Sequence, residues 1–202
     1  MKYLGDFIKN LPCSWLEVAK NSKKENAQQF KFVAEEISER YGLYDDLINS
    51  YNVKLPDSSL LQHSELLIEY YEKAPSGLNK LLLKRRNEHD LSYCPYCGNP
   101  MIPDTLDHFI PKGKWPEFSI FPNNLVPQCR GCAPVKGEHY FSDDNNSVIF
   151  IHPMYFDFLE NFRFSLHVSL NAEGNGISIC VKLRKIKDTQ ECDRNRIILH
   201  VE

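Results

Sequence analysis

The sequence predicts an α+β fold in three parts: an N-terminal helical region, a central module stapled by zinc, and a C-terminal β-hairpin region. Three observations carry this. Residues 1–90 place apolar side chains at helical spacing. Residues 91–141 are rich in cysteine, proline and glycine and lack long periodic runs. Residues 142–202 alternate apolar with polar side chains.

In the first part, "SWLEVAKNSKKENAQQFKFVAEEISERYG" repeats Phe30, Val33, Ala34 and Ile37 on one helical face, with Gly42 as the expected stop. "PDSSLLQHSELLIEYYEKAPSG" offers Asp57 or Ser58 as an N-cap, an apolar face of Leu61, Leu66, Leu67, Tyr70 and Tyr71, and a close at Pro75 and Gly77. "LNKLLLKRRNEHD" opens another short helix and carries the densest basic cluster, Lys80, Lys84, Arg85 and Arg86. Two readings of that cluster stand: a solvated helix face, or a patch that contacts phosphates. His63 and His89 fall in helical contexts that favour solvent.

The second part holds the strongest chemical signal. "CPYC" supplies Cys94 and Cys97, and "CRGC" supplies Cys129 and Cys132. Two such knuckles match a structural, tetrahedral Zn²⁺ closed by four thiolates. Their separation exceeds simple ribbon spacing, so an inserted element lies between them. The competing readings are two disulfides or four unrelated buried thiols. Cys13, Cys180 and Cys192 lack knuckle partners and read as ordinary core or surface thiols.

In the third part, "VIFIH", "RFSLHVSL" and "ISICVKLRKI" alternate like strands, and "NAEGNG" reads as the turn joining the last two. His167 and His200 lie in these β-like stretches, and His152 in "HPMYFDF" reads as packing.

Composition bounds the function. Apolar and charged fractions of 42% and 25% are those of a globular protein. The apolar runs are too short to span a membrane. The start, "MKYLGDFIKNLPCSW", lacks a signal peptide's apolar stretch. A cytoplasmic location follows as the expectation, and there paired cysteines hold metal more often than they form disulfides. A net charge of −3, spread evenly, argues against a self-sufficient nucleic-acid binder.

Between the knuckles, "TLDHFIPKGKWPEFSIFPNNLVPQC" resembles the HNH endonuclease family. Asp107-His108, then Asn124-Leu125, then Lys136-Gly137 after the second cysteine pair follow that family's order over residues 91–140. Together with "HPMYFDF", the stretch further resembles the PtuB-type HNH subunits of Septu and retron-associated anti-phage systems. The resemblance implies two strands followed by a helix around a catalytic Mg²⁺ or Mn²⁺. Asp107 would hold that ion, His108 would act as general base, and Asn124 would fix the loop presenting His108. The implied partners are an ABC-type ATPase subunit, a nucleic-acid substrate (DNA before RNA), and a retron reverse transcriptase with its RNA–DNA product. No membrane is implied. The N-terminal helices, or failing them the C-terminal hairpin, are expected to dock on the ATPase.

One position departs from the pattern. Ala133 follows Cys132 where the family has the Asn or His that completes the metal site, so the chain as given is expected to cleave little. His139 lies too far along a helix to replace it. Natural decay, a family variant and a deliberate substitution all place alanine there. Two function classes remain: a metal-dependent endonuclease acting within an anti-phage complex, or a non-catalytic zinc-stapled binding module with a decayed site.

Overall fold

The computed structural model describes residues 2–160, 163–170, 176–184 and 189–201. The helical region forms α1 (Ser14–Lys20), α2 (Ala27–Gly42), α3 (Tyr44–Asn49), α4 (Ser64–Glu72) and α5 (Ser76–Asn87). The stripe Phe30, Val33, Ala34 and Ile37 is buried throughout, and α2 ends at Gly42 as its spacing predicts. At the end of α2 and the start of α3, Tyr41 stacks on Phe121 at 4.1 Å and Tyr44 meets Phe118 edge-on at 5.1 Å. These rings fasten the helices to the loop between the knuckles, and one buried cluster runs from Leu4 to Met154.

Helix α4 starts later than Asp57 or Ser58. A 3-10 turn at Leu61–His63 precedes Ser64, and the Ser58 hydroxyl serves elsewhere. It accepts the Leu60 N–H at 3.1 Å and donates to Glu117, which also pairs with Arg40 at 3.0 Å. That buried carboxylate takes the hydroxyl that a helix cap would have used.

Neither reading of the basic cluster describes Arg85. Its side chain is buried on α5 and donates to the carbonyls of Leu125, Phe7 and Pro122 at 3.0, 2.8 and 2.7 Å. Burial pushes the guanidinium down to about 10, still charged at neutral pH. Lys80 and Lys84 remain exposed. His89 is likewise buried, with Nε2 on the Pro103 carbonyl at 2.8 Å and Nδ1 accepting the Leu91 N–H at 3.1 Å. Its surroundings come from the segment after the first knuckle, which helical periodicity does not reveal.

The central module forms β1 (Thr105–His108), β2 (Leu125–Gln128) and α6 (Cys132–Lys136). The strands are antiparallel, with Asp107 opposite Val126 and His108 opposite Leu125. Helix α6 stops at Gly137, whose φ of +47° a side chain rarely adopts. Beyond it come β3 (Phe141–Ser142) and β4 (Ser147–Val148), then β5 (Arg163–Leu170) paired antiparallel with β6 (Ile177–Arg184). The turn assigned to "NAEGNG" falls mostly on 171–175, outside the described residues.

Two expectations for the C-terminal part fail. Of "VIFIH", only Val148 lies in the two-residue β4; the Ile149 N–H still reaches the Tyr140 carbonyl in the same register, but Ile151 and His152 then turn into the core. Residues Glu191–Val201 form a helix, α7, so His200 lies on a helix and not in a strand. Among the described residues, no helix is long and apolar enough to cross a membrane.

Replacing Arg85 with methionine keeps the bulk but orphans three carbonyls. Urea unfolding should show a loss of about 2–4 kcal/mol, whereas Lys84→Gln should stay within about 0.5 kcal/mol. Equal, small effects from both would show that the buried guanidinium does not hold α5 to β2.

Candidate metal centre and active site

The first knuckle is a tight turn. The Gly98 N–H reaches the Cys94 carbonyl at 2.9 Å, the Cys94 N–H returns to the Asn99 carbonyl at 3.0 Å, and Gly98 has φ of +69°. In the second, the Cys132 N–H closes on the Cys129 carbonyl at 3.1 Å. The four Sγ atoms lie within 4.8 Å of one another, with Cys94–Cys132 and Cys97–Cys129 both at 3.8 Å. All four are free thiols, so the disulfide alternative is not the one realised. Sulfurs held about 2.3 Å from a tetrahedral zinc would sit about 3.8 Å apart, so the cluster fits that ion. The hydrogen bond between Cys94 and Cys132 pulls the Cys94 thiol below its ordinary value and pushes Cys132 above its own, so the two hold one proton between them. His200 clasps the same knuckle from α7. Its Nδ1 accepts the Ile151 N–H at 3.1 Å, which leaves Nε2–H to donate to the Tyr96 carbonyl at 2.9 Å.

Asp107 and His108 end β1 side by side, facing different surroundings. Asp107 is 5% exposed. Its Oδ2 accepts the Tyr96 hydroxyl at 2.7 Å, and its Oδ1 pairs with Lys136 Nζ at 3.1 Å. Burial raises the Asp107 carboxyl above its ordinary value, against the pull of Lys136 and Tyr96. Lys136, itself buried on α6, also donates to the carbonyls of His108 and Phe109 at 3.0 and 3.2 Å.

His108 is 9% exposed and sits edge-on to Tyr71 at 4.4 Å. Its Nε2 meets the Ser119 carbonyl at 2.9 Å. A carbonyl only accepts, so Nε2 carries the proton and Nδ1 keeps the lone pair. Burial pushes the imidazole down to about 3, so it is neutral at physiological pH.

Asn124, fully buried at the end of the 3-10 turn Pro122–Asn124, braces the intervening loop with four hydrogen bonds. Its Oδ1 accepts the Ile110 N–H at 2.7 Å and the Tyr44 hydroxyl at 2.8 Å. Its Nδ2 donates to the carbonyls of Ile110 and Phe118 at 3.0 and 3.1 Å. His152 buttresses this brace, with Nδ1 accepting the Met154 N–H at 3.2 Å and Nε2 on the Asn123 carbonyl at 3.0 Å.

The structure thus brings Asp107, His108, Asn124 and the four cysteines into one module. Ala133 lies half-buried in the first turn of α6 and offers no ligand atom, and His139 is exposed beyond its end. Each Asp107 oxygen already has a partner, Tyr96 or Lys136, so a divalent ion there would have to share or displace them. Among the described residues, the cysteines alone form a group of three or more side chains able to hold an ion. Sequence reasoning missed Tyr96, which sits inside the "CPYC" knuckle itself, and gave Lys136 no role. It also missed Tyr71, Ser119 and His200, for which the sequence carries no local signal.

No family model matches the chain, and no solved structure matches it. Among curated proteins, Protein ea31 of Escherichia phage lambda is 43% identical over 61 residues, covering 30% of this chain and 20% of that protein. The chain therefore spans about a fifth of the length of that relative.

Protein purified without chelator should carry one tightly held zinc. Cys94→Ser or Cys129→Ser should lose the ion and unfold the 91–141 segment, since binding energy at such sites is folding energy. Metal analysis finding no zinc would sink the assignment.

Burial also holds His152 well below its ordinary value. With His108 and His152 neutral when folded, the unfolded chain binds more protons below about pH 6.5, and stability falls as pH drops through that value. Each imidazole contributes up to about 1.4 kcal/mol per pH unit. Urea unfolding stepped from neutral pH to about pH 5 should show this slope, and His152→Gln should reduce it by one histidine's share. An unchanged slope would show that His152 is not held neutral.

Proposed function

We propose that the chain is the HNH-type endonuclease component of a nucleic-acid-acting defence complex, catalytically impaired as it stands by Ala133. The observation that carries this reading is the Asn124 brace. A buried carboxamide ties down both ends of the loop that supplies the Ser119 carbonyl to His108. The strand–strand–helix order behind a four-cysteine staple supports the same reading.

In this reading His108 is the general base for phosphodiester hydrolysis. Nδ1 accepts the proton of the water that attacks phosphorus, and the phosphorus–oxygen bond to the leaving nucleotide breaks. The Ser119 carbonyl fixes the tautomer and offsets part of the burial that disfavours the imidazolium, so His108 accepts the proton only with the developing phosphate charge beside it. Asn124 touches no reacting atom and acts as a positioning residue. A divalent cation, when bound, supplies charge neutralisation at the phosphorane and departing oxygen. The chain with Ala133 offers that ion no second ligand, and Asp107 is already paired.

That pairing also favours a second reading, a zinc-stapled binding module without catalysis. Lys136 already balances the charge of Asp107, so the module is electrostatically complete without a second metal.

An ABC-type ATPase, with DNA as the first candidate substrate, remains the proposed partner. Residues 1–50 contribute Trp15, Phe30, Tyr41 and Tyr44 to the shared core, so deleting them would confound any docking test. Surface changes such as Phe32→Glu, at a ring 84% exposed on α2, suit that purpose better.

Ala133→Asn, or failing that Ala133→His, should give Mg²⁺- or Mn²⁺-dependent nicking at least about a hundredfold above the given chain, the scale on which misplacing a reacting group costs rate. Adding His108→Ala should abolish it. Full-rate cutting by the chain as given would show that position 133 is no ligand. A folded, zinc-loaded Ala133→Asn protein that stays inert with the proposed ATPase partner present would favour the second reading.

A further inference from the structure

The β5–β6 pair carries an apolar face that nothing among the described residues covers. Alternation sets Leu166, Val168 and Leu170 on one side of β5, and the register places Ile179 opposite Val168 and Ile177 opposite Leu170. These five side chains are 65–70% exposed. The other side carries His167, Ser169, Ser178 and Cys180, all polar or small. The two strands pack chiefly on each other. A two-stranded hairpin alone is marginal in water, and a long exposed aliphatic strand is a hazard unless something covers it.

We propose that a second copy of this chain covers the face, the two hairpins packing as a two-fold sandwich. The patch contains no charge, so it does not repel its own copy. Its rows also suit a two-fold arrangement. Val168 and Ile179 form the middle row, with Leu170 and Ile177 on one side and Leu166 on the other. An axis lying between the faces, along that middle row, sets each end row against the opposite end row of the other copy. The area is also sufficient. Five aliphatic side chains lose roughly 100 Å² each on burial, or about 1,000 Å² over two copies, the lower bound for a biological interface and in keeping with a weak, micromolar dimer.

Sedimentation of the full chain across micromolar concentrations should show a monomer–dimer equilibrium. Val168→Asp with Ile179→Asp should weaken it at least about a hundredfold, because two carboxylates on each copy would be buried unpaired. Unchanged zinc content would show that the variant retains its central module. Hydrogen exchange on the unaltered chain avoids any dependence on that variant: amides of 163–170 and 177–184 should gain protection as the dimer fills. A chain that stays monomeric, a dimer indifferent to the substitutions, or exchange independent of concentration would each overturn the proposal. Binding of the monomer's hairpin face to a lipid vesicle or to another protein would overturn it too.

Discussion

Lys136 Nζ lies between the Asp107 carboxylate and the carbonyls of His108 and Phe109, and the site is arranged around that buried charge. A buried ammonium is costly unless paired and fully hydrogen-bonded, and here three oxygens meet its three N–H groups. Two of those oxygens belong to the backbone that carries His108, so the cation also fixes the direction in which β1 leaves the sheet. Lys136 sits in the last turn of a five-residue helix that is too short to be stable alone. Its position is therefore borrowed from elsewhere. Cys132 begins that helix, and the four-sulfur cluster anchors it to the first knuckle. The staple and the ion pair act in series: the sulfurs place the helix, the helix places the ammonium, and the ammonium holds the strand end.

The loop between the strands poses a second problem, because its backbone is buried without belonging to a ladder. Buried carbonyls and amides need partners, and a single carboxamide answers for several of them. Asn124 both donates and accepts, which aspartate could not do at neutral pH. The ring of Tyr44 packs against Phe118 and Phe121 while its hydroxyl reaches Asn124. The helical region is thus part of the support for the loop behind His108.

How much of this was legible in the sequence depended on whether the signal was local. The α2 stripe and the cysteine knuckles were readable because period and spacing belong to short segments. Arg85, Glu117 and His89 were not, because their burial depends on segments far along the chain that cover them. Arg85 looks like its exposed neighbours Lys80 and Lys84, yet the carbonyls that hold it come from residues 7, 122 and 125. "VIFIH" has a strand's alternation but finds no partner strand beyond a two-residue bridge. In β5 and β6 alternation correctly gave strands, although it could not say whether their apolar face would be covered. In the candidate site, the side-by-side Asp107 and His108 and the returning Asn124 were readable through their order. The closing of Asp107 by Tyr96 and Lys136 was not, because sequence order says nothing about which cation a carboxylate will choose.

That choice bears on how position 133 should be understood. Asp107 is buried, and a buried carboxylate stays ionised only with a compensating charge nearby. Lys136 provides it from within the chain, at fixed distance and with no loss of hydration at the moment of binding. A hard divalent cation must shed water to compete, and it gains most when several oxygen or nitrogen ligands replace that water together. With alanine at 133, the chain supplies no such second ligand from the first turn of α6. The ammonium then has the stronger claim, and the arrangement is self-consistent as a neutral, closed site. In the proposed reading, a side chain with a ligand atom at 133 changes the competition without touching the zinc staple or the Asn124 brace. On that same proposed reading, the scaffold and the metal preference of this site are therefore separable properties, one set by sulfur and carboxamide, the other by a single side chain.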